Sequence, residues 1–297
     1  MIGLSSDPAQ HSAGVHVALH GISMRTLRGT LLLTALLVTG CITRGPVAPT
    51  TVPPERIARM LQIAEAEWRL WGSQVIGATA DGAQCAVLAS GDCAEIDDGC
   101  GREMSAALCP VVNGYWAALG PDGAGGIERH TCPLTDQCEA RWQPEWGRPY
   151  WTPAWSAAFI SAVLRRAGFS ESEFRFGKSH ADYVVAARDH LSSAHDVIPT
   201  PAIALPGDLI CALREGARIA PTEIGRITAG ESPTPMHCDL VTRVDFAGRR
   251  LEAIGGNVQQ AVSRTTVELD EQGRVAASPG AGRAWNLVMR LHVEPLD

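Results

Sequence analysis

The run PGDLICAL, residues 206–213, is where the chain changes its period. Pro206-Gly207 is a turn pair, and the apolar run behind it has the length and composition of a strand. Upstream of this point the apolar spacing is helical. Residues 154–167 (AWSAAFISAVLRRA) make the clearest helix, closed by Gly168 as C-cap. Residues 54–72 read as another: Pro54 sits at its start, and Ile57, Met60, Leu61, Ala64, Trp68 and Trp71 share one face. A third is predicted over 179–193, with Ser179 as cap and His180, Tyr183, Val184 and Ala187 together on one side. Downstream, strands are predicted at 237–244, at 251–254 (ended by Gly255-Gly256), at 262–269 and at 284–293. Helices first and strands afterwards predict an α+β fold, its N-terminal helices packed on a mostly antiparallel sheet.

The composition sets the outer bounds. The chain has 297 residues, 45% of them hydrophobic and 19% charged, which excludes a disordered chain, a coiled coil and a collagen-like fibre. Its net charge of -7, with no Lys/Arg block, excludes the usual phosphate-neutralising route to nucleic acid. No nucleic-acid partner is expected.

The first forty residues read as an export signal. Residues 1–23 carry no pattern and are taken as an over-extended start. From Met24 the sequence runs MRTLRGTLLLTALLVTGC: Arg25 and Arg28 are a basic opening, and Leu31 to Val38 an apolar core. That core is too short to span a bilayer, which takes roughly 20 apolar residues. Val38-Thr39-Gly40-Cys41 resembles the lipobox of bacterial lipoproteins. The resemblance implies lipidation of Cys41, removal of residues 1–40, and, since Ile42 and not Asp follows the Cys, the periplasmic face of the outer membrane. The membrane is then met only through the lipid anchor. Residues 41–53, Pro- and Thr-rich, are a flexible tether, and 54–297 the folded domain.

Beyond Cys41 there are eight cysteines, an even number suited to disulfides in an oxidising compartment. Cys85, Cys93, Cys100, Cys109, Cys132 and Cys138 crowd a Gly- and Asp-rich stretch, read as a stapled insertion at about 82–140 with three bridges of open connectivity. Cys211 and Cys238 lie in predicted strands and form a separate candidate pair. No C-x-x-C pair occurs, and His190 and His195 lack the H-E-x-x-H spacing, so no metal is assigned. No cofactor motif is found either.

The candidate chemistry sits in three segments: Trp155-Ser156-Ala157-Ala158-Phe159, Pro206-Gly207-Asp208, and His237-Cys238-Asp239 followed by Gly255-Gly256-Asn257. A nucleophile at a helix start has its anion favoured by the helix dipole and by free backbone N–H groups. A histidine on a neighbouring strand can act as its base, and a polar group can orient the imidazole. These roles fall to Ser156, His237 and Asn257. Asp239 is an alternative orienter, two residues after His237 and therefore on the same strand face. Trp155, His180 and Tyr183 are weaker candidates for lining the same cleft. Each also has a plain structural reading: Ser156 as a helix cap, Asn257 as a turn residue, His180 and Tyr183 as core.

The order of these segments resembles the papain-like cell-wall amidases and endopeptidases of the CHAP and NlpC type. More closely, residues 54–293 resemble the domain-of-unknown-function 2272 family of bacterial proteins. The resemblance implies a papain-like fold and hydrolysis of an amide in peptidoglycan peptides, with peptidoglycan or a cell-wall peptide as partner. One departure bears on activity. The resembled enzymes carry Cys where this chain has Ser156, and a hydroxyl needs full general-base help where a thiol does not. Two functions therefore stay open: an amide hydrolase acting through Ser156, and a catalytically inactive module that binds wall peptide or a protein in the same cleft.

Overall fold

The computed structural model describes residues 46–78, 84–87, 93–94, 103, 105–120, 132, 154–214, 217, 219–220, 223–276 and 284–294. These lie in one compact unit, Arg44–Asp297. Cys41 and the export signal fall outside the described residues, as do Cys100 and Cys138.

The architecture is α+β. Among the described residues, helices α1 (Pro54–Leu70), α2 (Cys109–Ala117), α3 (Ser156–Ala167) and α4 (His180–Arg188) accompany nine strands. The strands are β1 (Val75–Ala78), β2 (Gln84–Val87), β3 (Cys93–Ala94), β4 (His195–Pro199), β5 (Leu209–Leu213), β6 (Met236–Asp245), β7 (Arg250–Val258), β8 (Ala261–Glu268) and β9 (Leu287–Leu291). They form one sheet in the order β3-β2-β1-β8-β7-β6-β5-β9-β4. Every pairing is antiparallel except β1 with β8. Among the described residues no helix is long and apolar enough to cross a membrane.

Helix α3 is the hub. Ten of its residues are buried, and only Arg165 and Arg166, in its last turn, reach outward. A helix apolar on all sides must be enclosed, and α3 is enclosed by α1, α2, β6 and β7. Its neighbours supply Met60 and Ala64 from α1, Val112, Tyr115 and Trp116 from α2, and Leu240 and Ile254 from the sheet. Strand alternation sends Leu209, Cys211, Cys238 and Leu240 into this core, and Ile210, Ala212 and Val241 into a second cluster with Val267, Trp285 and Val288.

Cys211 and Cys238 stand opposite one another on β5 and β6 and are bridged, with Cα atoms 4.1 Å apart. Cys109 is bridged to Cys132, with Cα atoms 5.5 Å apart. Cys85 and Cys93 lie on β2 and β3, which pair antiparallel. The stretch read as an insertion is thus in part woven into the domain: β2 and β3 extend the sheet beyond β1, and α2 packs on α3.

Other boundaries move for local reasons. Helix α4 ends at Arg188, short of 193, because residues 195–199 (HDVIP) leave as the edge strand β4. Strand β7 runs on through Gly255-Gly256 to Val258, since those glycines permit close packing there and do not end the strand.

The Pro206-Gly207-Asp208 turn has a structural task. Gly207 holds φ 102, a left-handed conformation that favours glycine. The buried Asp208 carboxylate accepts from the N–H of Leu205 and of Leu291 and pairs with Arg290, tying the start of β5 to β9. Burial raises its pKa, against the pull of those donors.

Candidate active site

The start of α3 is braced by aromatic rings. Trp155 is fully buried, stacked on Trp71 at 5.2 Å and on Tyr115 at 5.5 Å between centroids. Its indole N–H donates to the buried carboxylate of Glu103 at 2.5 Å. Gly256 presses on the other side: a Cβ there would stand 2.5 Å from Phe159 and 2.9 Å from Trp155. Trp155 occupies the N-cap position and offers no capping side chain. The N–H groups of Ser156, Ala157 and Ala158 have no intrahelical acceptor and, among the described residues, no side-chain cap, so the positive end of the helix dipole is turned toward Ser156.

Ser156 is buried, 5% exposed, and its Oγ lies 2.6 Å from His180 Nε2. The other ring nitrogen of His180 contacts the Tyr183 hydroxyl. Helix α4 sets this up. His180 is its first residue, held by a reciprocal capping box in which Ser179 Oγ accepts from the Ala181 N–H and Asp182 accepts from the Ser179 N–H. Tyr183 follows His180 by three residues, on the same helix face. With Ser156 donating to Nε2, Nδ1 carries the ring proton and donates to Tyr183. The phenol is fully buried; burial first, then the Asp239 and Asp182 charges, push its pKa well above 10, so it stays neutral. Ser156, His180 and Tyr183 are thus hydrogen-bonded in a row.

His237 lies directly behind. Its ring centroid is 5.0 Å from that of His180, at an interplanar angle of 58°. His237 Nε2 meets Asp239 Oδ1 at 2.6 Å, and Thr265 donates to Asp239 Oδ2 at 3.4 Å. Arg214, at the end of β5, brings a guanidinium nitrogen to 3.2 Å from His237 Nδ1. His237 and Asp239 are 0% exposed. Gly255 makes the space for this pair, because a Cβ there would fall 1.7 Å from Asp239 Oδ1.

The residues expected from the sequence are therefore partly regrouped. Ser156 stands at the first turn of its helix, as expected, but its hydroxyl meets His180 and not His237. The reason is that both His237 nitrogens are engaged elsewhere, by Asp239 and by Arg214. Asp239 contacts the His237 ring. Asn257 does not: it holds φ 54 in the irregularity of β7 between Gly255 and Val258, and its amide makes no hydrogen bond among the described residues. Trp155 supports the site from below, and His180 and Tyr183 belong to its centre. Arg214, Thr265 and Glu103 had no sequence signal that tied them to Ser156; their roles arise from strand register and chain crossing alone.

Among the described residues no group of three or more His, Cys, Asp or Glu side chains is arranged to hold a metal ion. The arrangement can polarise a hydroxyl, accept its proton and stabilise an oxyanion beside it.

No curated protein and no solved structure matches the chain. Residues 103–291 match the family described as "Uncharacterized protein conserved in bacteria (DUF2272)". That span covers more than half of the chain and includes Ser156, His180, Tyr183, His237 and Asp239, and the protein belongs to this bacterial family.

Proposed function

We propose that the protein is an acyl-transfer amide hydrolase that acts on peptidoglycan peptides, with Ser156 as nucleophile and His180 as base. The 2.6 Å contact between Ser156 Oγ and His180 Nε2 carries the reading. In the first step Ser156 Oγ attacks the amide carbonyl carbon while its proton passes to His180 Nε2. The oxyanion forms next to the uncapped N–H groups of α3. Collapse expels the amine, which takes the proton from His180, and leaves an acyl ester on Ser156. Water, deprotonated by His180, then releases the acid and restores the hydroxyl. The choice of an amide in the cell wall rests on the papain-like resemblance of the motifs. Lipidation at Cys41 and residence on the periplasmic face of the outer membrane belong to the same proposal. Mass analysis of the mature N-terminus tests that part, and an unmodified start elsewhere rules it out.

The second reading, an inactive module that binds wall peptide or a protein partner, is favoured by one observation: Ser156 and His180 are only 5% and 4% exposed. Incubation of the protein with purified peptidoglycan, followed by fragment mass analysis, separates the two. Release that Ser156→Ala abolishes supports the hydrolase. Release only by Ser156→Cys identifies a disabled thiol site. Silence from all three variants leaves the binding module.

A further inference from the structure

We propose that His237 is a permanently neutral spacer through which the buried Asp239 carboxylate lends its negative charge to His180. His237 and Asp239 are then positioning residues, and His237 is not a second base. The inference rests on His180 being the base of the proposed reaction.

Three observations lead there. First, Arg214 has only donors to offer, so the nitrogen it meets at 3.2 Å, His237 Nδ1, must present a lone pair. Second, the remaining proton of a neutral ring must then sit on Nε2, where Asp239 Oδ1 at 2.6 Å accepts it. This fixes the tautomer from both sides. Third, the ring so fixed lies tilted against that of His180, centroids 5.0 Å apart, with Asp239 and His237 wholly removed from water. In that setting a carboxylate is screened little, and its attraction for a cation a few ångströms off is large.

The consequence appears when His180 takes the Ser156 proton. A buried imidazolium is costly, and Tyr183, being neutral, offers only a dipole. Among the described residues, the titratable and charged groups near His180 include Ser156 on α3, Tyr183 and the capping Asp182 on α4, His237 and Asp239 on β6, and Arg214 after β5. Asp182 is engaged with the Ser179 backbone. Arg214 is exposed, and water weakens its opposing charge. Asp239 is the one buried carboxylate of this set, held against the His237 ring and accepting a further hydrogen bond from Thr265. A protonated His237 would invert the effect by placing a positive ring against His180, and the Arg214 contact forbids it.

The test is nuclear magnetic resonance of the full chain with labelled histidine rings, which needs no turnover. In the wild type, His237 should show its proton on Nε2 and none on Nδ1 across the range in which His180 titrates. In Asp239→Asn, the His180 protonation constant should fall about tenfold or more. A His237 that is doubly protonated, or that carries its proton on Nδ1, overturns the proposal. So does an Asp239→Asn variant that keeps a native spectrum and leaves the His180 titration in place. If Asp239→Asn does not fold, the wild-type tautomer decides alone. The outcomes are separable from the fate of the hydrolase: the shift without any peptidoglycan cleavage keeps the charge coupling and removes the function, and cleavage without the shift does the reverse.

Discussion

At the scale of single residues, the site depends on an absence as much as on its polar groups. Gly255 has no side chain because Asp239 occupies the volume a Cβ would need, 1.7 Å away. Gly255→Ala must displace the carboxylate and separate it from His237. A buried polar pair that loses its geometry, added to overpacking, costs about 2–4 kcal/mol. Urea unfolding should therefore show a lower midpoint at an unchanged slope, and an alanine variant as stable as the wild type would show that the pair has room to move. This residue also marks what could be read from the sequence. The Gly255-Gly256-Asn257 motif was visible as a motif, but its meaning was not: the expected role fell on the amide of Asn257, whereas both glycines serve by close approach and Asn257 by its left-handed backbone. Ser156, Asp239, His180 and Tyr183 were all legible as chemistry. Which histidine meets Ser156 was not, because that depends on the path of residues 169–179, and no periodicity reports it.

At the scale of elements, the strength of the periodic signal decided what was legible. Helix α3 and strands β5, β6 and β8 carry long, consistent patterns, and they stand within a residue or two of where the pattern puts them. Strand β1 (VIGA) and strand β4 (HDVIP) are short, contain a Gly or a Pro, and gain their structure from pairing with β8 and β9. Helix α4 shows the most consequential use of local chemistry. Its capping box does more than stabilise nine residues: it fixes the turn on which His180 is the first residue. Ser179→Ala removes one acceptor from the first turn and should cost about 1 kcal/mol. Because the base rides on that turn, the same variant should lower any Ser156-dependent cleavage more than a stability loss of that size would. Thermal unfolding and peptidoglycan release measured side by side check this, and equal activity would show that Tyr183 alone holds the ring.

At the scale of the whole molecule, the balance of the fold is sensitive to acid through one buried ring. His195, the first residue of β4, is 1% exposed. It lies against Phe169 and Phe174, with neither ring nitrogen hydrogen-bonded among the described residues. Desolvation above all, then the neighbouring His292, drive its pKa down to about 3, against the opposing pull of Asp196. In the unfolded chain the same ring titrates near 6.5. The folded state therefore binds fewer protons below pH 6.5, and its stability is complete above that value and falls as the pH drops toward 3. The slope from this one group is about 1.4 kcal/mol per pH unit, so a shift to pH 5 removes about 2 kcal/mol. His195→Phe keeps an aromatic ring between Phe169 and Phe174 and deletes the proton. Its urea midpoint should lose less than the wild type's between pH 7.5 and pH 5, by that amount of free energy. Parallel losses in the two proteins would place the acid sensitivity outside this ring.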